Sequence, residues 1–142
     1  MNKPLYDQDF FAWTQAQADA LKRRSAHELD WDNLVEEVES LGRQQRRELT
    51  RRLAILIGHI LKWEMQADQR SRSWANTIRS QQREITDLLE DNPSLKAALP
   101  EAWRKAIQSG RELAAYETGL PLEDVALGPS PTFNEAMAFT PA

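Results

Sequence analysis

LTRRLAILIGHILKW, residues 49–63, is the stretch that decides the fold. Its large apolar residues recur at steps of four and three, the spacing of a helix seam packed in a bundle. These residues are Leu49, Leu53, Leu56, Ile60 and Trp63. Further apolar residues lie between them over positions 53–61, so the middle of this helix is apolar nearly all round. Such a helix belongs at the centre of a fold or at a subunit interface.

Helical spacing also precedes this stretch. Apolar residues predict one helix over about residues 7–24, and Asp30 can cap the next helix. That second helix carries an apolar stripe: Trp31, Leu34, Val35, Val38 and Leu41. Gly42 then predicts a break or a kink, because glycine in a helix costs about 1 kcal/mol relative to alanine.

After residue 63 the sequence predicts two more helices. Ser71 or Ser73 can cap the first, and Pro93 disfavours helical geometry in the residue before it. Pro100 suits the first turn of the second, which Gly119 ends.

The remaining residues, 121–142, are rich in proline, which predicts an irregular tail with at most one helical turn around residues 134–138. No alternating pattern predicts a strand. We therefore expect an all-α fold, a single-domain helical bundle of four to five main helices over residues 1–142. Its core is expected at about residues 5–120.

Composition excludes several classes of site. The chain has 142 residues and no cysteine, so it holds no disulfide and no thiolate ligand or nucleophile. Its two histidines, His27 and His59, exclude a three-histidine metal site. No apolar run fits a secretory signal or approaches the roughly 20 residues of a membrane span. We expect a soluble cytoplasmic protein with no membrane partner.

Charge is segregated along the chain, although the net charge is only −4. Residues 26–42 carry six acidic residues and no lysine or arginine, and residues 84–142 carry ten acidic and four basic residues. Between them, residues 43–83 carry ten basic and three acidic residues. A basic stretch of this kind can bind phosphate groups. Its candidate nucleic-acid-binding residues are Arg43, Arg46, Arg47 and Arg51.

Aromatic residues bear on the same hypothesis. Trp63 and Trp74 lie in the basic stretch and offer stacking surfaces for bases. Both also lie at helical core spacing, where tryptophan is usually buried. The acidic segments on either side can neutralise the stretch inside the fold, and the sequence pI of about 5.3 is far from that of a dedicated nucleic-acid binder.

Arg52 and His59 are the candidate catalytic residues. Both lie on one flank of the apolar seam, and their spacing is similar to the Arg-x4-6-His motif of the HEPN ribonucleases. That similarity implies that the pair binds phosphate and assists transfer from a ribose 2′-OH. The alternative is that His59 is a partly buried histidine tied to a backbone or carboxylate partner.

Other catalytic and metal chemistry has little support. Glu36, Glu37 and Glu39 with His59 suggest a carboxylate–histidine site, but a di-iron bundle needs Glu-x-x-His motifs and the chain has none. We predict no metal and no cofactor, with these glutamates paired to arginines such as Arg43, Arg46 or Arg79 or facing solvent. There is no Gly-x-Ser-x-Gly elbow and no phosphate-cradling glycine loop.

The order of these motifs resembles the DUF29 family, small all-α proteins common in cyanobacteria and other bacteria. The matching stretches are Leu5-Tyr6-Asp7-Gln8-Asp9-Phe10, Ala12-Trp13, Leu29-Asp30-Trp31-Asp32-Asn33-Leu34, Glu36-Glu37, Glu39-Ser40-Leu41-Gly42, His59-Ile60-Leu61-Lys62-Trp63, Arg70-Ser71-Arg72-Ser73-Trp74, Thr77-Ile78, Gln82-Arg83, Pro93-Ser94-Leu95 and Glu117-Thr118-Gly119-Leu120-Pro121. Ala67 replaces a common proline, and Ser130-Pro131 replaces a common Cys-Pro pair. The resemblance implies an all-α bundle in a bacterial cytoplasm and no catalytic residues.

We therefore expect a non-enzymatic helical module that self-associates, as a dimer, or docks on a protein partner. The apolar stretch at 53–61 carries this expectation, since any part of it left uncovered within one chain would be buried across a two-fold dimer. A HEPN-like ribonuclease using Arg52 and His59 is the alternative. Nucleic-acid binding through the basic stretch is the second alternative.

Overall fold

The structure is a computed structural model that describes residues 4–125 and 131–142. Within these ranges it contains six α-helices and no strand. They are α1 (Leu5–Gln8), α2 (Phe10–Lys22), α3 (Trp31–Met65), α4 (Arg72–Asp91), α5 (Leu99–Thr118) and α6 (Phe133–Ala138). Short 3-10 turns cover Ala26–Glu28, Ala67–Gln69, Pro93–Ala98 and Leu122–Asp124. The predicted all-α fold, with four long helices, is confirmed.

Local side-chain chemistry sets several helix ends. The Asp9 carboxylate accepts from the backbone N–H of Ala12 and begins α2, which is separate from the short α1. Ser71, rather than Ser73, caps α4 by accepting from the N–H of Trp74. Gly119 ends α5 in the left-handed conformation, with φ of 76°. The predicted single helix over about residues 7–24 is thus two helices, whereas the ends predicted from Ser71, Pro93 and Gly119 agree with the structure.

Gly42 does not break the chain's longest helix, contrary to one of the two outcomes its sequence predicts. Helix α3 continues for 35 residues through this position. No atom lies within 4 Å of the point where a Cβ of residue 42 would sit, so the glycine is not required by packing. The hydrogen bonds of the turns on both sides outweigh the roughly 1 kcal/mol that glycine costs.

The described chain divides into two compact units, Met1–Arg43 and Gln44–Ala142. We call them the N-terminal unit and the C-terminal unit. The N-terminal unit is a helical hairpin of α2 and the first part of α3, and its buried residues are Trp13, Gln17 and Ala20. The Trp13 indole N–H donates to the Asp30 carboxylate at 2.9 Å, and the Asp30 N–H donates to Gln17 Oε1 at 2.8 Å. Polar bonds therefore join the helices of the hairpin beside a small apolar core.

The C-terminal unit contains the main core. Its fully buried large side chains come from α3, from α4 and from the turn after α5: Leu49, Leu53, Leu56, Ile57, Ile60, Ile78, Ile85 and Val125. The apolar stretch at 53–61 is thus at the centre of this unit, covered by the chain's own helices. Of the two locations that the sequence left open for it, the structure shows the centre of the fold.

Helices α3 and α5 approach each other closely at two glycines. A Cβ on Gly110 would lie 2.7 Å from Ile57 Cγ2, 2.9 Å from Ile57 Cβ and 3.1 Å from the Ala54 carbonyl oxygen. A Cβ on Gly58 would lie 2.7 Å from Leu113 Cδ2. The absence of side chains at these two positions allows the two helix backbones to meet.

The segment after α5 is more ordered than predicted. The Gln82 side-chain amide donates to the carbonyls of Ala136 at 3.0 Å and Phe139 at 2.8 Å, and Arg79 donates to the Pro141 carbonyl at 3.3 Å. Ala136 and Pro141 are buried. We call residues 131–142 the C-terminal latch. Residues 126–130 of the predicted tail, including Ser130, lie outside the described residues.

No helix in the described part of the chain has the length and apolar character needed to cross a membrane.

Candidate functional site

The two candidate catalytic residues lie on α3 with separate partners. Arg52 Nε contacts Glu48 Oε1 at 2.8 Å, and its terminal nitrogens face Gln81 at 3.3 Å and Glu84 at 3.9 Å on α4. His59 Nδ1 lies 2.9 Å from the Ile55 carbonyl oxygen. No hydrogen bond among the described residues joins Arg52 to His59. The guanidinium charge is compensated locally, and the imidazole is anchored to the backbone of its own helix.

His59 is half-buried, and this burial lowers its pKa below the ordinary 6.5; the nearby Lys62 charge acts in the same direction. Because Nδ1 faces a carbonyl oxygen, it carries the hydrogen in the neutral ring and Nε2 does not. A neutral histidine ring that bonds to the backbone of its own helix is typical of a structural residue.

Stability should therefore depend on the protonation of His59. The unfolded chain binds this proton near pH 6.5, whereas the folded chain binds it only at lower pH, so acidification favours unfolding. We expect the free energy of unfolding to fall between about pH 7.5 and 5.5, by at most about 1.4 kcal/mol from this group. Urea titrations at the two pH values measure the change. His59→Asn should remove this decrease in the free energy of unfolding, whereas His27→Asn, at an exposed histidine, should keep it. An unchanged pH dependence in His59→Asn would show that His59 is not the group responsible.

The glutamates of the acidic segment are engaged in the N-terminal unit. Arg43 contacts Glu36 at 2.8 Å and Glu39 at 3.8 Å. The Tyr6 hydroxyl donates to Glu37, and this hydrogen bond raises the pKa of Tyr6 to about 12. No group of three potential metal-ligating side chains occurs within residues 4–125 and 131–142. The predicted pairing with Arg43 is confirmed for Glu36 and Glu39, whereas Glu37 bonds to Tyr6.

The predicted basic stretch does not form one uniform surface on α3. Arg43 is paired as described, and Arg51 and Arg52 share the Glu48 carboxylate. Arg46 and Arg47 are exposed and have no carboxylate within 4.0 Å among the described residues. Two of the four candidate nucleic-acid-binding residues are therefore neutralised by ion pairs.

Residue spacing alone does not identify Lys62 as a buried cation. The Lys62 side chain is 6% exposed, contacts Glu117 of α5 at 2.5 Å and lies 4.6 Å from the centre of the Trp74 ring of α4. One side chain thus joins three helices of the C-terminal unit. The available signal was a lysine directly after the apolar run that ends at Leu61.

Most of the exposed large apolar side chains of the described residues lie on the N-terminal unit. Four side chains of α3 remain more than half exposed, and we call them the exposed apolar row: Trp31 (60%), Val35 (54%), Val38 (65%) and Leu41 (61%). Phe10, Phe11 and Leu21 of α2 are also exposed. At 100° per residue, Trp31, Val35 and Val38 lie on one face of the first part of α3.

The family model described as "Domain of unknown function DUF29" matches residues 5–140. This chain belongs to the DUF29 family. The match covers nearly the whole chain and confirms the resemblance of the motifs. No curated protein and no solved structure matches the chain. The function of this DUF29 chain is therefore inferred from its own residues and contacts.

Proposed function

We propose that this DUF29 protein is a non-enzymatic helical interaction module that self-associates through its N-terminal unit. The observation that supports this proposal is the exposed apolar row. Contiguous apolar surface on a soluble protein marks an interaction site, and here it lies on a hairpin in which three of the described residues are buried. The apolar stretch at 53–61, which first suggested association, is covered within the chain and no longer supports it.

A second copy is the partner that the hairpin fits best. Two antiparallel helices with one open apolar side need two more helices to complete a four-helix arrangement. A second copy supplies them, and a two-fold interface buries the same patch on both chains. Phe10 and Leu21 of α2 are further exposed apolar side chains of the same unit.

The ribonuclease alternative has less support. Its two residues have separate partners, and Arg52 already faces two carboxylates. The hypothesis now rests on the spacing of Arg52 and His59 alone. We infer a bacterial cytoplasmic setting from the family resemblance and the cysteine-free composition.

The proposal predicts a dimer that depends on the exposed apolar row. Light scattering of the full chain at micromolar concentration should give twice the chain mass of 16.3 kDa. The double variant Val35→Gln/Val38→Gln should be monomeric, because it removes two central apolar contacts. Glutamine has a higher helix propensity than valine, so helix loss does not account for this result.

Tyr116→Gln provides the matched control, since Tyr116 is 88% exposed on α5 in the C-terminal unit. This variant should remain dimeric. A wild-type chain that stays monomeric at all concentrations, or a Val35→Gln/Val38→Gln variant that stays dimeric, contradicts the proposal.

A further inference from the structure

The first half of α4 carries a surface that the proposed self-association does not use. Arg72, Arg79 and Arg83 lie within about 40° of one another around the helix axis. They line a groove of about 640 Å³, which we call the arginine groove. Its other described lining residues carry hydroxyl or amide groups: Ser73, Asn76, Thr77 and Ser80. Among the described residues, no carboxylate lines it.

The charge of the arginine groove is not compensated. In the described ranges, no carboxylate lies within 4.0 Å of the guanidinium groups of Arg72, Arg79 or Arg83, in contrast to Arg52 with its two partners. Arg79 uses one nitrogen to donate to the Pro141 carbonyl. The other two arginines make no hydrogen bond to any described residue. Their donors therefore face solvent.

Helix stability does not explain this charge either. Arg72 is the first residue of α4, and the last turns of the helix contain Asp87, Glu90 and Asp91. A cation at a helix N-terminus and carboxylates at the C-terminus both oppose the helix macrodipole. The position of Arg72 is unfavourable for the isolated helix, and an anion bound beside it would offset this cost.

We propose that the arginine groove binds the phosphodiester backbone of a nucleic acid. Guanidinium groups bind phosphate oxygens with two parallel hydrogen bonds, and hydroxyl and amide side chains supply the neutral donors found in backbone contacts. The lining offers no aromatic ring for base stacking, since Trp74 is half-buried beside Lys62. The contacts are therefore to the backbone, and binding depends little on sequence.

An anionic membrane fits this surface less well. A helix that binds a membrane surface inserts large apolar side chains beside its basic residues. None of the exposed large apolar residues of the described chain lies on α4. The polar lining of Ser73, Asn76 and Thr77 suits a hydrated phosphate chain rather than acyl chains.

The test is fluorescence anisotropy of the full chain with a labelled single-stranded RNA of about 20 nucleotides, from about 50 to 200 mM salt. The double variant Arg72→Gln/Arg83→Gln leaves Arg79 in place because that residue holds the C-terminal latch. We expect this variant to bind at least about tenfold more weakly at the lowest salt. We also expect the slope of log affinity against log salt to decrease by about 1.4, the value for two phosphate contacts on a single strand.

Arg24→Gln/Arg104→Gln is the matched control, since it removes two exposed arginines that do not line the groove. It should change the affinity less than about twofold. The melting temperature of Arg72→Gln/Arg83→Gln should equal or exceed that of the wild type, because Arg72→Gln removes an unfavourable interaction with the helix dipole and neither arginine has a carboxylate partner among the described residues. Its mass by light scattering should be unchanged, which separates this inference from the proposed self-association.

Three results would overturn the inference. The first is the absence of RNA binding at the lowest salt. The second is an equal loss of affinity in the two double variants, which would indicate general attraction to any arginine. The third is equal or tighter binding to phosphatidylserine vesicles or to polyglutamate, which would make a membrane or an acidic protein the occupant. Single-stranded DNA of the same length should bind as RNA does, since both present the phosphodiester backbone.

Discussion

Replacing Gly110 with alanine should lower the free energy of unfolding by about 2 kcal/mol, because overpacking of a core costs about 1–3 kcal/mol. The new Cβ would meet Ile57 Cβ and the Ala54 carbonyl, and neither atom is the flexible end of a side chain. Helices α3 and α5 must therefore move apart. This movement costs more free energy than alanine gains over glycine through its higher helix propensity.

Gly42→Ala is the matched control for this prediction. It lies within α3, where a Cβ meets no atom within 4 Å, so alanine should raise the free energy of unfolding by about 1 kcal/mol. Urea denaturation followed by circular dichroism measures both variants. Equal stability of Gly110→Ala and the wild type would mean that the two helices are not in close contact at Gly110.

Glu117→Gln is expected to have the second large effect, a loss of about 2 kcal/mol in the free energy of unfolding. It removes the carboxylate from the buried Lys62 ammonium and keeps the size of the side chain. Removing one partner of a buried ion pair costs about 3–5 kcal/mol, and we reduce this figure because the Glu117 side chain is 37% exposed. Urea denaturation at neutral pH measures the loss.

Lys62→Met tests whether the cost comes from the buried charge. Methionine keeps the apolar part of the side chain against Trp74 and leaves Glu117 free to face water. We expect a change within about 1 kcal/mol, since an apolar replacement of a buried charge is often neutral or stabilising. A Lys62→Met variant that loses as much as Glu117→Gln would show that packing, not an unpaired charge, sets the cost.

The fold was predictable where local chemistry determines it. Ser71 caps its helix by bonding a backbone N–H three residues away, and Gly119 adopts a conformation that other residues disfavour. Such signals act within one helical turn, so neighbouring residues in the sequence are enough to predict them. The latch was not predictable, because Gln82 finds its carbonyl partners 54 and 57 residues away.

The contacts of the candidate sites also divide into local ones, which the sequence predicts, and long-range ones, which it does not. The pairing of Glu36 with Arg43 follows from their spacing on one helix, whereas Glu117 meets Lys62 across 55 residues. The row at Trp31 and Val38 has the same periodicity as the row at Leu49 and Leu53. Spacing identifies both as apolar faces, but only the arrangement of α4 and α5 decides which face the chain covers.

The Gln82 amide has a consequence for the order of events on the ribosome. Its two acceptors are synthesised more than 50 residues later, so the amide remains hydrated while α3, α4 and α5 are made. Domains fold as the chain emerges, from the N-terminus onward. The latch is therefore the last described segment that can pack on α4. A nascent chain stalled before Ala136 lacks both acceptors of the Gln82 amide, so this side of α4 stays uncovered.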